Sequence, residues 1–414
     1  MAPPRASVIV VSRHRPAALR RCLEGIAQLD HPAFEVIVVA DPAALATLAL
    51  LEDRIKMLAF DAANISAARN AGLAMAAGEV VAFIDDDAVP EPTWLRRLAA
   101  PFAEPGVAAA GGFVRGRNGI SFQWKAMAVD QRGRDVPLTV DAHAVSLHDG
   151  DAARAVKTQG TNMAFRRDAL LAIGGFDEAL RFYLDEADVN LRLAAARHRT
   201  AIVPRAQVHH GFLASTRRRA DRAPLDLTEI GASSAVFLRR HAPEGERAAA
   251  LDALRQGQRR RLIGLMVEGR IAPGDVGRLL AGLEAGIAEG RTRALPALAP
   301  LAPTAPAFLP FPGAGPRPGR VLAGRPWARR RLRHAARRAV AGGAIVTLFR
   351  FSPTALAHRM RFDPEGFWEQ TGGLFGRSDR DQPRFRLQGF RHRLARERAR
   401  VAGLRPLDGN LPDF

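Results

Sequence analysis

The run Val80-Val81-Ala82-Phe83-Ile84-Asp85-Asp86-Asp87 places five apolar residues directly before three carboxylates. Because no polar residue interrupts the five, the pattern predicts a strand that is buried on both faces, as strands of a parallel sheet are. Similar β-branched runs stand upstream at Ser7 to Ser12 and at Glu35 to Val39, separated by a stretch of helical spacing that starts at Pro16. Strands alternate with helices in this way up to about Pro204, which predicts an α/β fold with a mainly parallel sheet.

The composition indicates a globular protein of two or three domains, with 414 residues, of which 47% are hydrophobic and 25% charged. This balance excludes a wholly disordered chain. The longest apolar window, Ala339 to Phe349, is too short to cross a bilayer. Cys22 is the single cysteine, which excludes an intrachain disulfide. Met1 to Arg5 contain no apolar leader, so we expect a cytoplasmic protein.

The formal charge is +19, and much of the excess lies in Arg320 to Arg350, which hold nine arginines and no acidic residue. Such a region attracts polyanions, whether nucleic acid, anionic lipid or a phosphorylated substrate. Almost all cations are arginine, and a genome-wide base-composition bias would give the same skew without any function. No nucleic-acid motif accompanies the arginines, so no specific nucleic acid is expected.

The pattern along the chain divides it into four regions. Between Ala294 and Pro318 eight prolines recur, which favours an extended linker over a packed element. The predicted regions are a domain at 1–240, a helical extension at 241–293, a Pro/Ala-rich linker at 294–319 and a basic C-terminal region of unassigned role at 320–414.

The three aspartates after the buried strand carry the sharpest chemical signal. Adjacent carboxylates repel one another, so solvent or a hard cation such as Mg²⁺ or Mn²⁺ must compensate them. The carboxyl end of a parallel strand is also where open α/β sheets bind ligands. A solvated acidic turn that caps a helix near Pro92 would explain the same residues.

Two further segments lie where the same sheet edge is predicted. Asp41 follows the strand ending at Val39, although an aspartate before Pro42 is also an ordinary helix cap. Asn64 to Gly72 predicts a helix whose N-terminus offers backbone N–H groups to an anion. Arg69 lies one turn into that helix beside Asn70, and it would pair with a phosphate or remain a solvated surface charge.

A fourth signal consists of three segments: residues 159–165, Gly174-Gly175-Phe176-Asp177, and the helix that begins near Asp185. Three acids, Asp185, Glu186 and Asp188, fall in the first turn of that helix. Acids at this position complement the helix dipole, and one of them would also suit a rigidly held general base. Glu186 and Asp188 point to different faces of the helix, so they should not share a role.

Together these segments resemble the family 2 inverting glycosyltransferases of the GT-A fold, over about residues 7–210. The resemblance implies a metal motif at Asp85 and Asp87, completed by His209 or His210 with Mn²⁺ or Mg²⁺. It implies that Glu186 is the catalytic base, with Asp185 next in line. The nucleotide-sugar contacts that it implies are Asp41, Asn64, Arg69, Asn70, Asp85 and Asp86, and the acceptor-side residues are Gly160, Thr161, Asn162 and Asp188.

The resemblance also predicts what the enzyme does. Ala40-Asp41-Pro42-Ala43 departs from the Asp-Asp-Gly-Ser usual after the second strand, and no Gln-x-x-Arg-Trp segment of processive synthases occurs. We therefore expect transfer of one sugar from a nucleotide-diphosphate donor to a saccharide or lipid-linked acceptor, in cell-surface polysaccharide or glycoconjugate synthesis. The basic tail predicts a peripheral contact with anionic lipid at the inner face of the membrane. The alternative is a nucleic-acid or anionic-surface binding protein whose GT-A-like domain lacks activity.

Overall fold

A computed structural model describes residues 3–303 and 306–408. Met1 and Ala2, two residues of the predicted linker and the last six residues of the predicted C-terminal region lie outside the described residues. The elements of the first half are β1 (Ala6–Ser12), α1 (Pro16–Ile26), β2 (Phe34–Ala40), α2 (Pro42–Ala46), β3 (Lys56–Ala59), α3 (Ile65–Met75), β4 (Val80–Asp85), β5 (Ala88–Pro90), α4 (Trp94–Ala99), β6 (Val107–Arg115), β7 (Phe122–Trp124), β8 (Met127–Asp130), β9 (Asp135–Pro137), β10 (Ser146–His148), β11 (Arg154–Lys157), β12 (Met163–Arg166), α5 (Arg167–Ala172), α6 (Asp185–Ala195) and β13 (Arg199–His210).

The main sheet has the strand order β10-β13-β6-β12-β4-β1-β2-β3. β1, β2, β3 and β4 run parallel, whereas β12 lies antiparallel between β4 and β6. The prediction of an α/β fold with a mainly parallel sheet is confirmed. The central antiparallel strand places residues near 160 beside the end of β4.

Helices cover both faces of this sheet. α1 and α4 pack on one face, where Cys22 is fully buried between Leu19 and Ile26, as its helical spacing indicates. α3, α5 and α6 pack on the other face, around Phe83 and Phe165. Because both faces are covered, the sheet leaves its carboxyl edge for a ligand.

Three helices follow the sheet: α7 (Thr228–His241), α8 (Glu244–Val267) and α9 (Pro273–Thr292). They share one apolar core that includes Leu238, Leu262 and Leu283. α7 and α9 approach so closely that a Cβ on Gly286 would lie 1.8 Å from the carbonyl oxygen of Thr228, and glycine is therefore required there. Among the described residues, no helix is long and apolar enough to cross a bilayer.

Between α9 and residue 318, the described part of the proline-rich segment contains no helix or strand. It nevertheless runs along the surface of the main sheet. Backbone N–H groups of Leu301 and Phe311 donate to the carbonyl oxygens of Leu171 and Phe34, at 2.9 and 2.8 Å. The Phe311 ring stacks on Phe34, so the segment is an extended strap that is fixed to the domain.

The basic C-terminal region folds as a second, smaller α/β unit, which the sequence did not predict. Its elements are β14 (Gly319–Gly324), α10 (Arg329–Ala341), β15 (Ile345–Ser352), β16 (Arg359–Phe362), β17 (Trp368–Gly373) and α11 (Phe390–Val401). The sheet order is β14-β15-β17-β16, with β16 alone antiparallel. α10 packs on one face and α11 on the other.

A buried ion pair joins this C-terminal unit to the main domain. Arg405 Nε donates to Glu91 Oε2 at 2.9 Å, and its terminal nitrogen also contacts Glu91 Oε1. The Arg405 guanidinium lies 3.9 Å from the ring centre of Trp368, whose Nε1 donates to Gln28. Burial raises the pKa of Glu91, but Arg405 and His209 outweigh it and lower that pKa to about 2. The charged pair therefore fixes one unit against the other.

His358 in the C-terminal unit predicts a loss of stability in acid. Burial, followed by nearby Arg393, lowers the pKa of His358 to about 4, so between pH 6.5 and 4 the unfolded chain binds a proton that the folded chain does not. Its contribution is complete above pH 6.5 and is lost as the pH falls toward 4, by roughly 3 kcal/mol at most. In urea unfolding at several pH values, His358→Gln should flatten this decline. Substitution of exposed His392 should leave it unchanged.

Candidate active site

A groove of about 420 Å³ opens at the carboxyl ends of β1 and β4. The acidic triplet 85–87 forms part of its wall, and the loop after β1, the start of α3 and the 214–218 segment form other parts. Five arginines from three segments line this groove: Arg13, Arg15, Arg181, Arg217 and Arg218. Carboxylates surrounded by guanidinium groups suit a ligand that carries phosphates and shares a cation with the protein.

The three aspartates of the triplet have different surroundings. Asp85 is partly exposed, whereas Asp86 and Asp87 are buried. Asp86 Oδ2 accepts a hydrogen bond from Ser12 Oγ at 2.7 Å, and Asp86 Oδ1 lies 2.9 Å from Arg15. Burial outweighs these partners and raises the pKa of Asp86 to about 7. Asp86 therefore joins the triplet to β1, and it is also among the residues that line the groove.

Asp87 points toward His210. Asp87 Oδ1 lies 3.2 Å from His210 Nε2, and Asp87 Oδ2 accepts from the backbone N–H of Leu213 at 2.9 Å. Burial opposes ionisation, but His210, the Leu213 N–H and Arg15 together hold the pKa of Asp87 well below its usual range. Asp87 is thus a carboxylate at neutral pH.

Asp85, Asp87 and His210 form a cluster whose ligand atoms all lie within 4.8 Å of one another. The pairing of β5 with β13 sets His210 opposite Ala88, next to Asp87. Gln123 Oε1 lies 3.1 Å from His210 Nδ1, so an N–H at Nδ1 leaves the lone pair of Nε2 facing Asp87. Two acceptors at this distance need a proton or a cation between them, and two carboxylates with one imidazole suit Mn²⁺ or Mg²⁺.

Of the two histidines between which the sequence left the choice open, His210 is the one in this cluster of described residues. Successive residues of a strand point to opposite faces, so His209 points away from the groove. Its Nε2 lies 2.8 Å from Glu91 Oε1 and its ring packs against Trp368. Burial lowers the pKa of His209 to about 4, so this residue belongs to the contact with the C-terminal unit.

Arg69 links the carboxylate of α6 to the acidic triplet. It forms a buried ion pair with Asp185, and its second terminal nitrogen lies 3.6 Å from Asp85 Oδ1. The same nitrogen donates to the Gly160 carbonyl oxygen at 3.3 Å. Far apart along the chain, the triplet and the start of α6 therefore lie on one side of the molecule, joined by one guanidinium.

Glu186 lies beside Asp185 but has a different partner. Its carboxylate is 3.5 Å from Nζ of Lys157, which also donates to Asp135 at 3.0 Å. Leu184, directly before α6, adopts a left-handed conformation with φ of 67°. A buried leucine at positive φ is strained, and the packing of Leu184 in the apolar core beside α6 must hold it there. Lys157 was absent from the sequence prediction, although lysine is rare in this arginine-rich chain.

Three polar residues with predicted ligand roles form hydrogen bonds or ion pairs inside the fold. Asn162 is fully buried, accepts from Trp94 Nε1, and donates to carbonyl oxygens of β6 and β13. Asp188 is fully buried between Arg192 and His241. Asn70 bonds the backbone of Phe176 at both its oxygen and its nitrogen. These internal partners occupy the side chains in the structure, and the acceptor contacts of Asn162 and Asp188 and the donor contact of Asn70 stay predictions.

The remaining predicted residues lie at or near the groove. Asn64 lines it while its side chain caps α3. Asp41 is buried, caps α2 and accepts from the backbone N–H of His14, whose side chain lines the groove. Thr161 follows Gly160 and is buried, and among the described residues its hydroxyl has no hydrogen-bond partner.

Comparison with known proteins decides the family. A family model described as glycosyltransferase like family 2 matches residues 3–223, which is more than half of the chain. The chain belongs to this family. The predicted resemblance is thereby confirmed, and the acidic triplet, Arg69 and His210 all fall inside the matched range.

Individual relatives match shorter segments. The pre-mycofactocin glycosyltransferase of Mycobacterium tuberculosis is 30% identical over 151 residues, 35% of this chain and 29% of that protein. The glucosyl-dolichyl phosphate glucuronosyltransferase of Haloferax volcanii is 32% identical over 116 residues, 28% of this chain and 34% of that protein. The chain thus spans about a third of the length of these curated relatives.

Solved structures with similar folds include the mannosyltransferase PcManGT from Pyrobaculum calidifontis in complex with GDP-Man and Mn²⁺. It is 18% identical, with a TM-score of 0.40 over 70% of this chain and 87% of that one. Residues 1–349 of S. aureus TarS in complex with UDP are 16% identical, with a TM-score of 0.42 over 69% of this chain and 89% of that one.

Proposed function

We propose that the protein transfers one sugar from a nucleotide-diphosphate donor to an acceptor hydroxyl, with inversion at the anomeric carbon. The observation that carries this proposal is the cluster of Asp85, Asp87 and His210 at the wall of an arginine-lined groove. Membership of family 2 supports it. Oxygen ligands for a hard cation beside guanidinium groups match the chemistry of a diphosphate.

Asp85, Asp87 and His210 would hold the Mn²⁺ or Mg²⁺. The ion would supply positive charge to the leaving diphosphate, as Lewis-acid catalysis requires. The arginines of the groove, Arg15 and Arg217 among them, would bind the phosphate oxygens and stabilise the charge that develops as the bond to the sugar breaks. Asn64, and Asp41 through the loop that it holds, would position the nucleotide.

Glu186 would be the general base. A carboxylate is too weak to ionise a sugar hydroxyl beforehand, so it accepts the proton while the acceptor oxygen attacks the anomeric carbon. The bond from that carbon to the diphosphate breaks on the opposite face, which inverts the configuration. Lys157 would orient Glu186, and the Asp185–Arg69 pair would fix the turn that carries it relative to the triplet. Gly160 and Thr161 would border the acceptor.

The acceptor and the cellular role are further parts of the proposal. The Haloferax relative is named for a lipid-linked substrate, glucosyl-dolichyl phosphate, which supports a lipid-linked saccharide as acceptor. We propose a role in cell-surface polysaccharide or glycoconjugate synthesis, by single transfers, in the cytoplasm at the inner face of the membrane.

Asp87→Asn tests the metal cluster. The substitution removes a ligand charge while keeping the shape of the side chain, so we expect Mn²⁺ affinity to fall by more than the 10- to 100-fold that is typical of an outer-shell partner. Calorimetric titration with Mn²⁺, with and without a panel of nucleotide sugars, measures the change. Asp252→Asn on α8 makes the same change of charge at a site far from the groove. This control variant should bind Mn²⁺ normally.

Undiminished Mn²⁺-dependent donor binding by Asp87→Asn would contradict the assignment of the metal ligands. If the unaltered protein bound and turned over no nucleotide sugar with Mn²⁺, the alternative of a binding protein with an inactive domain would replace the proposal.

A further inference from the structure

We propose that one edge of the C-terminal sheet is a docking surface for an anionic lipid membrane. Four large apolar side chains are exposed there: Trp327 (77%), Leu356 (64%), Phe385 (58%) and Leu387 (79%). We call these four residues the tail rim. The proposal does not depend on the transfer reaction, because none of them lies at the groove.

The topology brings the tail rim together. β14, β15 and β17 are parallel, so their carboxyl ends at Gly324, Ser352 and Gly373 meet at one edge. Trp327 follows the first of these ends and Leu356 the second.

Backbone hydrogen bonds place Leu356 and Phe385 at the same edge. The N–H of Gly373 donates to the Leu356 carbonyl oxygen at 2.9 Å. Beyond β17, the backbone pairs Gly376 with Phe385, and the N–H of Arg386 donates to Phe375 at 2.9 Å. The exposed apolar residues therefore form one surface, although their positions span sixty residues of sequence.

Unpaired positive charge surrounds the tail rim. Arg384 and Arg386 alternate with Phe385 and Leu387 in a fully exposed stretch, and the first turn of α10 adds Arg329, Arg330 and Arg331. In the part of the chain that the structure describes, none of these five arginines has a carboxylate within 4.0 Å, whereas Arg333 and Arg337 further along α10 are paired with Glu365. Asp379 and Asp381, in the loop before Arg384, are the nearby acids.

The combination of side chains favours a membrane over a nucleic acid. Arginines alone would suit either polyanion. Exposed leucines give no favourable contact with a phosphate backbone, whereas they enter the acyl boundary of a bilayer, and tryptophan prefers the headgroup level. Exposed apolar residues surrounded by cations are typical of a peripheral membrane surface. Stable binding needs both the burial of apolar area and the attraction to anionic lipid.

Vesicle sedimentation with the full chain tests the proposal, with neutral phosphatidylcholine compared with vesicles that are roughly a third phosphatidylglycerol. Arg384→Ala with Arg386→Ala should weaken binding to anionic vesicles by roughly 25-fold at low salt, since each arginine near such a surface contributes roughly fivefold. Phe385→Ser with Leu387→Ser should weaken it by roughly tenfold or more, an effect that persists at high salt because burial of apolar area is not screened.

Matched control variants distinguish a specific docking surface from a general effect of charge or of exposed apolar area. Arg259→Ala with Arg260→Ala on α8 removes the same charge, and Leu50→Ser with Val267→Ser removes exposed apolar residues elsewhere. Both control pairs should bind as the unaltered protein does. Equal losses in the controls, or no binding of the unaltered protein to anionic vesicles at low salt, would overturn the proposal. The protein could instead bind RNA but no vesicles, with a binding that depends on Arg384 and Arg386 and not on Phe385 and Leu387. That result would show that the ligand of this surface is a nucleic acid and not a membrane.

Discussion

Replacing Glu186 with glutamine is expected to lower the rate of sugar transfer by about 10²- to 10⁴-fold, the range that general base catalysis typically contributes. Glutamine keeps the shape of the side chain and its contact with Lys157 but cannot accept the proton. Because Glu186 is not a member of the metal cluster, Mn²⁺ and donor binding should stay unchanged. Radiolabelled transfer with a matched donor and acceptor, together with calorimetric donor binding, measures both quantities.

The controls for this prediction are a distant and a neighbouring carboxylate. Glu268→Gln, at an exposed position after α8, should be fully active. Asp185→Asn should lose activity in a different way, because Arg69 would lose its partner and the position of Gly160 and Asp85 would change with it. If Glu186→Gln turned over normally, Glu186 would not be the base, and Asp185 would be the next candidate.

The second large effect is expected on stability. Arg405→Ala leaves Glu91 buried in the contact between the two units with His209 as its remaining partner, and loss of one partner of a buried pair typically costs about 3–5 kcal/mol. The free energy of unfolding in urea should fall by that amount, while Arg259→Ala on the exposed face of α8 should change it little.

A double substitution tests whether the pair itself is responsible. Glu91→Gln with Arg405→Met removes both charges, so it should be less destabilising than the sum of the two single changes. Additive losses would show that Arg405 acts only by packing on Trp368 and not through Glu91.

Local patterns predicted the parallel part of the fold well. The apolar run before Asp85 and the β-branched runs before Asp41 and at Ser12 each predict a strand without reference to the rest of the chain. β12 and the strands of the C-terminal unit are different, because they are short and depend on distant partners. Arg359–Phe362, for example, alternates arginine with apolar residues and becomes a strand only when β17 lies beside it.

In the candidate site, too, local patterns predict some features, whereas contacts between distant residues determine others. Three carboxylates after a buried strand indicate a cation site from charge alone, and strand alternation requires His209 and His210 to face opposite sides. Which of them faces Asp87 depends on the register of β13 against β5, a relation between residues more than a hundred positions apart. The internal partners of Asn162 and Asp188, Trp94 and His241, are likewise distant in the sequence, so these contacts could not be predicted from it.

The interlocked arrangement of Glu91, His209, Arg405 and Trp368 limits how this protein can be dissected. A chain cut before β14 would keep Glu91 without its counter-ion and would uncover Val89 and Ile120, which pack against the C-terminal unit. Such a fragment would tend to aggregate. Failure of the fragment to bind lipid or sugar would therefore report damage to the remaining part of the chain. Single side-chain substitutions are the sound way to assign roles to the last hundred residues.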